Sequence, residues 1–137
     1  MKSRSLLTGL LVYLLVLASC RKNSSASLTS QLVGQWELRT LYGGQVPGIG
    51  PNFIPGNGNI WKFTNSGFER YDNGQSTGSG TYTLTKASTF NSGVPEDAFI
   101  LNQDTTLKFH FDIIKDTLTI YVGSIPADGY IAKYVRQ

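Results

Sequence analysis

The sequence predicts an all-β domain: a small antiparallel up-and-down barrel of about eight strands that occupies residues 30–137. From residue 30 onward, short runs of alternating apolar and polar residues are separated by Gly, Asn, Asp and Ser. No window in this region has an apolar stripe with the 3.6-residue period of a helix. Most connections are short, as an antiparallel meander requires, and closing the sheet into a barrel covers both of its edges. An α+β fold or an open sandwich is the alternative.

The predicted strands follow from this alternation. In chain order they are 36–42, 60–63, 68–71, 80–84, 98–101, 107–113, 117–122 and 130–136. Thr64–Gly67 and the turn that begins at Asn73-Gly74 separate the second, third and fourth strands. The clearest strand is 107–113, because its apolar residues share one face; these are Leu107, Phe109, Phe111 and Ile113. A tight turn near Lys115-Asp116 joins it to 117–122 as a hairpin.

Residues 1–19 have the features of a bacterial signal peptide. Lys2 and Arg4 precede an apolar run, Leu6 to Ala18, that is shorter than the about 20 residues of a transmembrane helix. The sequence Leu17-Ala18-Ser19-Cys20 resembles the lipobox of bacterial lipoproteins. That resemblance implies cleavage before Cys20, a diacylglycerol on its thiol, and an acyl chain such as palmitate on the new amino group. The alternatives are an uncleaved anchor helix or a chance cysteine at the end of an apolar run.

Residues 20–29 are interpreted as the lipidated Cys20 followed by a flexible tether. Arg21 to Thr29 is polar, rich in Ser and without periodicity, with an r.m.s. reach of about 16 Å. The expected location is therefore the cell envelope, with the membrane as a partner through the lipid on Cys20. Because no Asp directly follows Cys20, the chain resembles lipoproteins sent to the outer membrane, where it would lie on the periplasmic or the surface face.

Composition excludes several classes of function. The formal net charge is +3, but two of the basic residues, Lys2 and Arg4, lie in the leader, so the remaining side chains carry about +1. They form no basic patch, and no nucleic-acid partner is expected. Cys20 is the only cysteine, which leaves none for a disulfide, a thiolate nucleophile or a cysteine metal site.

The first predicted strand opens with Gly34 and Trp36, in a Gly-x-Trp pattern that resembles the lipocalins. In that family an Arg from the C-terminal part packs across this Trp and closes the narrow end of the barrel, which implies contact between Trp36 and Arg136. The central segments Trp61-Lys-Phe-Thr, Tyr71-Asp-Asn-Gly and Ser79-Gly-Thr-Tyr82 also resemble lipocalin-like lipoproteins of Bacteroidetes-type bacteria. The alternative role for Trp36 and Trp61 is core packing, and the alternative for Arg136 is a charge at a frayed end of the chain.

Two classes of function are predicted for the domain. The first is a binding module for a small hydrophobic or amphipathic molecule in an aromatic mouth; its candidate residues are Trp61, Phe63, Tyr82, Phe109 and Phe111. Residues 42–59 form the long irregular connection, and Ile49, Phe53 and Ile54 there are candidates either to line an entrance or to cap the core. The second class is a protein-interaction or structural accessory of the envelope, with a filled barrel and a tyrosine face that contacts a partner; this face comprises Tyr42, Tyr121, Tyr130 and Tyr134.

The sequence predicts no enzyme, cofactor or metal site. His110 is the only histidine and is expected on the outer face between Lys108 and Asp112, where a solvated cross-strand role is typical. Asp72 and Glu96-Asp97 are interpreted as turn residues whose carboxylates bond the backbone. No pair of carboxylates has a spacing that suits acid–base catalysis.

Overall fold

A computed structural model of the chain describes residues 27–43, 52–88, 94–123 and 129–137. The predicted signal peptide, Cys20, most of the predicted tether and Ile49 lie outside the described residues. The elements are α1 Leu28–Leu32, β1 Gly34–Gly43, β2 Ile60–Phe63, β3 Gly67–Asp72, β4 Gln75–Ser88, β5 Pro95–Leu101, β6 Phe109–Ile114, β7 Thr117–Val122 and β8 Tyr130–Arg136. Each strand pairs antiparallel with the next, and β8 pairs with β1, so the eight strands form a closed up-and-down barrel. The predicted fold class is confirmed. None of the described helices is both long enough and apolar enough to span a bilayer.

The interior of the barrel is packed with aromatic rings. Residues directly opposite each other on paired strands point to the same face, so the pairs Trp36–Trp61 and Phe99–Phe109 both face inward. The Phe99 and Phe109 rings stack with centroids 5.1 Å apart. The buried cluster consists of Leu32, Trp36, Trp61, Phe63, Phe68, Tyr82, Phe99, Phe109, Phe111, Leu118 and Ile120. Burial of this apolar surface is the main stabilising contribution to the fold.

Five of the eight predicted strands have different bounds in the structure. β1, β3 and β5 extend one to three residues beyond the predicted 36–42, 68–71 and 98–101, and two other strands differ more. The predicted strand 107–113 begins at Phe109 instead, and Leu107 is 46% exposed outside the ladder. Asp104 Oδ1 accepts hydrogen bonds from the backbone N–H and hydroxyl of Thr106, and this local turn precedes the strand. The predicted strand 80–84 extends to the 14 residues of β4, because its first half pairs with β3 and its second half with β5.

The chain enters the barrel through α1, which includes two residues that the sequence analysis assigns to the tether, Leu28 and Thr29. Ser27 caps this helix, since its Oγ accepts a hydrogen bond from the N–H of Ser30 at 3.2 Å. Leu32, at the other end of α1, is fully buried in the core. In the described part of the chain, α1 covers one end of the barrel.

Trp36 and Arg136 lie in contact at this end. The Arg136 guanidinium carbon is 4.1 Å from the Trp36 ring centroid, and Arg136 donates to the carbonyls of Val33 and Gln31. Trp36 Nε1 donates to the Leu32 carbonyl at 2.7 Å. Gly34 has a φ of +143°, and a Cβ there would clash with Arg136 Nη1. These contacts fasten α1 across the barrel.

The up-and-down topology places alternate connections at opposite ends of the barrel. We call the end that carries α1, the Lys115-Asp116 turn and the C-terminal Arg136 the sealed end. The open end is the opposite one, where the segment 52–59 and the Asn73-Gly74 turn lie.

Candidate functional site

A cavity of about 460 Å³ lies at the open end of the barrel. Pockets of about 300–1,000 Å³ are typical for small organic ligands. Residues from β1, β2, β3 and β8, from the segment 52–59 and from the turn after β3 form its wall. The lining residues are Leu38, Leu41, Phe53, Asn59, Ile60, Trp61, Arg70, Tyr71, Asp72, Asn73, Tyr130 and Tyr134.

Trp61 forms the boundary between this cavity and the packed core. It is 4% exposed, and its ring lies 5.5 Å from Phe63 and 6.0 Å from Phe109, measured between centroids. Because the same indole also lines the cavity, it acts as an aromatic floor. Leu38, Leu41 and Phe53 add apolar wall. This part of the site can hold an apolar or flat aromatic group.

Two charged side chains on β3 face into the cavity. Arg70 lies directly opposite Trp61 in the ladder. It is two residues from the buried Phe68 and two from Asp72, so all of these side chains share the inner face. The Arg70 guanidinium carbon is 5.5 Å from the Trp61 ring centroid. Its Nη2 lies 3.4 Å from Asp72 Oδ2, and each of the two side chains is 44% exposed. The barrel mouth thus combines an apolar floor with one cation and one anion.

Two tyrosines of β8 also face inward. The Tyr134 hydroxyl oxygen accepts a hydrogen bond from Trp61 Nε1 at 3.2 Å, and burial raises the pKa of Tyr134 to about 12. Burial also raises the pKa of Tyr130. Both phenols therefore keep their protons at neutral pH and can donate a hydrogen bond to a ligand.

The structure divides the predicted ligand-binding residues into two groups. Trp61 and Phe53 line the cavity. The others, Phe63, Tyr82, Phe109 and Phe111, belong to the buried core and are absent from the cavity wall among the described residues. Their rings pack against one another and fill the barrel below Trp61, as in the 5.4 Å edge contact between Phe63 and Tyr82. Ile54, a candidate from the long connection, is 78% exposed and does not belong to the cavity lining.

The predicted tyrosine face is divided as well. Tyr42 is 48% exposed, and the Tyr121 hydroxyl donates to Asp112 on the outside of the barrel. Tyr130 and Tyr134 instead line the cavity. The inner face of β8 carries the more polar set of side chains, and the outer face carries Ile131, Lys133 and Val135. Simple alternation of apolar and polar residues therefore does not show which face of β8 is buried.

Sequence reasoning missed Arg70 as a site residue and interpreted Asp72 as a turn residue. A signal was present, since the two-residue period that begins at Phe68 places both charges on the core face of the same strand. A charge at such a position is unusual unless it lines a cavity or is paired.

His110 lies on the outer face of β6, between Ala98 of β5 and Tyr121 of β7. It is half-buried, and its Nδ1 has no hydrogen-bond partner among the described residues. Within the described ranges, no group of three or more His, Cys, Asp and Glu side chains is arranged to hold a metal ion.

No family model matches this sequence, and comparisons with curated proteins and with solved structures also give no match.

Proposed function

We propose that the chain is an exported, lipid-anchored binding protein of the bacterial cell envelope, which holds a small hydrophobic or amphipathic molecule in the open end of a lipocalin-like barrel. The observation that carries this proposal is the cavity of about 460 Å³, in which an indole floor lies beside an inward-facing Arg70 and Asp72. An apolar surface with a few convergent polar groups is the usual composition of a ligand site.

The charged residues in the mouth argue against a purely structural interior. Arg70 and Asp72 lie on the inner face of β3 but are each 44% exposed, so the interior at this level is open to water and is not filled by side chains. Below Trp61 the interior is instead filled by stacked and edge-on rings. The change from packed rings to charges and phenols coincides with the start of the cavity.

The sealed end supports the lipocalin-like part of the proposal. The resemblance implies an Arg across the Trp of the Gly-x-Trp pattern, and Arg136 lies 4.1 Å from the Trp36 ring centroid. The lipobox-like sequence that ends at Cys20 supports lipid anchoring. We place the anchor in the outer membrane because no Asp follows Cys20.

Native mass spectrometry of the mature lipidated protein with palmitate, cholesterol and naphthalene tests ligand binding. We expect an adduct of one molecule per chain with at least one of these probes. Leu41→Trp, which fills the cavity, should abolish the adduct. The matched control is Ile114→Trp, because Ile114 is 71% exposed at the sealed end. It should leave the adduct unchanged.

The second candidate is an envelope interaction module without a small ligand. The observation that favours it is the close aromatic packing below Trp61, which restricts any ligand to the upper part of the barrel. An adduct-free mass with every probe, in the parent chain and in both variants, would support this candidate. Crosslinking at the exposed Tyr42 would then be used to recover the partner.

A further inference from the structure

We propose that the ligand of this cavity carries an acidic group, and that Arg70 binds this group in place of Asp72. The inference rests on the proposed binding function and specifies the ligand's chemical class. In the protein without ligand, Asp72 is the carboxylate paired with Arg70, and the acidic group of the ligand replaces it.

The backbone fixes the position of Arg70. Its partner in the β2–β3 ladder is Trp61, whose ring forms the cavity floor, and its neighbour Phe68 on the same face of the strand is 6% exposed in the core. The guanidinium lies 5.5 Å from the Trp61 ring centroid, within the range of a cation–π contact. The aromatic floor therefore supports the arginine at the edge of the cavity.

The contact between Arg70 and Asp72 is loose. Arg70 Nη2 lies 3.5 Å and 3.4 Å from the two carboxylate oxygens, whereas charge-assisted hydrogen bonds are usually about 2.7–2.9 Å long. Both side chains are 44% exposed, and an ion pair of that kind contributes little. Only one guanidinium nitrogen has an acceptor among the described residues. Arg70 can therefore exchange this partner for a bidentate acid.

The phenols of β8 complete the acceptor site. Tyr134 uses its oxygen to accept the Trp61 N–H, so its own proton is free to bond an acid oxygen. Arg70 acts electrostatically on both Tyr130 and Tyr134 and partly opposes the effect of burial on their pKa values. A cation and neutral hydroxyl donors thus line the same cavity.

A basic ligand fits this arrangement poorly. Asp72 would attract it, but Asp72 follows Arg70 on the same face toward the open end, so a cation that entered the cavity would also approach the guanidinium. A neutral molecule would leave the charges of the mouth unused. An acid that places its apolar part on Trp61 contacts both the apolar floor and the Arg70 guanidinium.

Isothermal titration calorimetry with decanoate, decanol and decylamine tests the inference, because these probes share one chain and differ in the head group. The lipidated protein is held in phosphatidylcholine nanodiscs, and empty nanodiscs provide the blank. We expect decanoate to bind at least about tenfold more tightly than decanol. Arg70→Gln should remove this preference, so that decanoate binds no more tightly than decanol. Arg70→Lys, which keeps the charge and loses the planar fork, should retain part of it.

Asp72→Asn tests the competition between Asp72 and the ligand acid, and it should tighten decanoate binding because the competing carboxylate is gone. The control is Lys62→Gln, which removes an exposed cation on β2 whose partner is Glu69, outside the cavity lining. This variant should leave the affinities for decanoate and decanol unchanged.

Equal affinities for decanoate and decanol, or a preference that survives Arg70→Gln, would overturn the acid inference and leave the binding function standing. Weaker decanoate binding in Asp72→Asn would overturn the displacement. If none of the probes binds and the native mass spectra contain no adduct, the binding function itself fails.

Discussion

Arg136 illustrates how much one residue near the C-terminus contributes to the sealed end. Its guanidinium covers the Trp36 ring and donates to the carbonyls of Gln31, in α1, and Val33, just after α1. Arg136→Lys keeps the charge but loses the planar stacking and the fork geometry. We expect the free energy of unfolding to fall by about 1–3 kcal/mol.

Urea unfolding followed by tryptophan fluorescence measures this loss. The control is the reverse exchange on the exposed outer face of the same strand, Lys133→Arg, which should change the free energy of unfolding by less than about 0.5 kcal/mol. Equal stability of Arg136→Lys and the parent chain would contradict a closing role for Arg136.

Glu37 is the buried charge of β1, with 1% of its surface exposed. Burial raises the pKa of this carboxyl, but the N–H groups of Gly56 and Gly58 and the Arg39 guanidinium outweigh burial and hold the pKa below its ordinary value. The Gly56 and Gly58 bonds are 3.1 Å and 3.2 Å long. Glu37 therefore holds the turn after Phe53 against the outside of β1.

The lowered pKa of Glu37 makes the stability of the fold depend on pH. Since the folded protein binds this proton less tightly than the unfolded chain does, the stabilisation is complete above the unfolded pKa. It is lost as pH falls through the lower, folded pKa. Glu37→Gln should reduce the free energy of unfolding by about 1–3 kcal/mol near neutral pH and flatten the acid limb of the profile.

Urea titrations from about pH 7 to about pH 3 measure that profile. Asp116→Asn provides the control, because the Asp116 side chain is 81% exposed, and this variant should keep the slope of the parent chain. An unchanged acid limb in Glu37→Gln would show that other carboxylates govern acid unfolding.

At the scale of single elements, the strands predicted best are those whose two faces differ clearly. In β6 and β7, Phe111, Leu118 and Ile120 are buried and alternate with polar residues, so the sequence alone predicts both the strands and the hairpin between them. The first half of β4 carries Gly, Ser and Thr, a composition that predicts a turn. It becomes a strand because β3 provides hydrogen-bond partners along it, which is a tertiary effect.

The candidate site could be predicted only in part for a similar reason. Trp61 and Phe53 were identified because aromatic residues near a strand end and in a long connection are typical of a barrel mouth. Whether an inward aromatic meets empty space or another ring depends on the whole interior. Phe109 meets Phe99, so it is core, although its sequence context resembles that of a lining residue. Arg70 can be recognised as a site residue only after its strand is assigned to the barrel, because only then is its side chain known to face inward.

At the scale of the whole molecule, the ends of the barrel have separate tasks. The sealed end is fixed by α1, Trp36 and Arg136, and the chain enters the fold there. The cavity lies at the other end, and the packed rings between them separate the two. In the proposed lipoprotein, the anchor at Cys20 therefore attaches to the end opposite the ligand site.

This arrangement predicts that the sealed end faces the membrane and that the cavity opens away from it. The seven peptide units from Cys20 to Ser27 extend over at most about 25 Å. The ten residues of β1 rise over about 33 Å along the strand, and barrel strands tilt by about 35–45°, so the barrel is about 25 Å tall. Turning the open end to the bilayer would therefore need a fully extended tether, whereas the sealed end can face the bilayer with a relaxed one. A ligand would then reach the cavity from the aqueous side.

Fluorophores on Lys115→Cys and Asn73→Cys, in vesicles that contain doxyl-labelled lipid, measure this orientation. The positions are well matched, since both are exposed turn residues with positive φ, +55° at the sealed end and +52° at the open end. The only natural cysteine, Cys20, is blocked if it is lipidated as proposed, so each variant carries a single label. We expect strong quenching at position 115 and little at position 73, because quenching requires contact with lipid. The reverse pattern would place the cavity against the bilayer, and its ligand would then enter directly from the membrane.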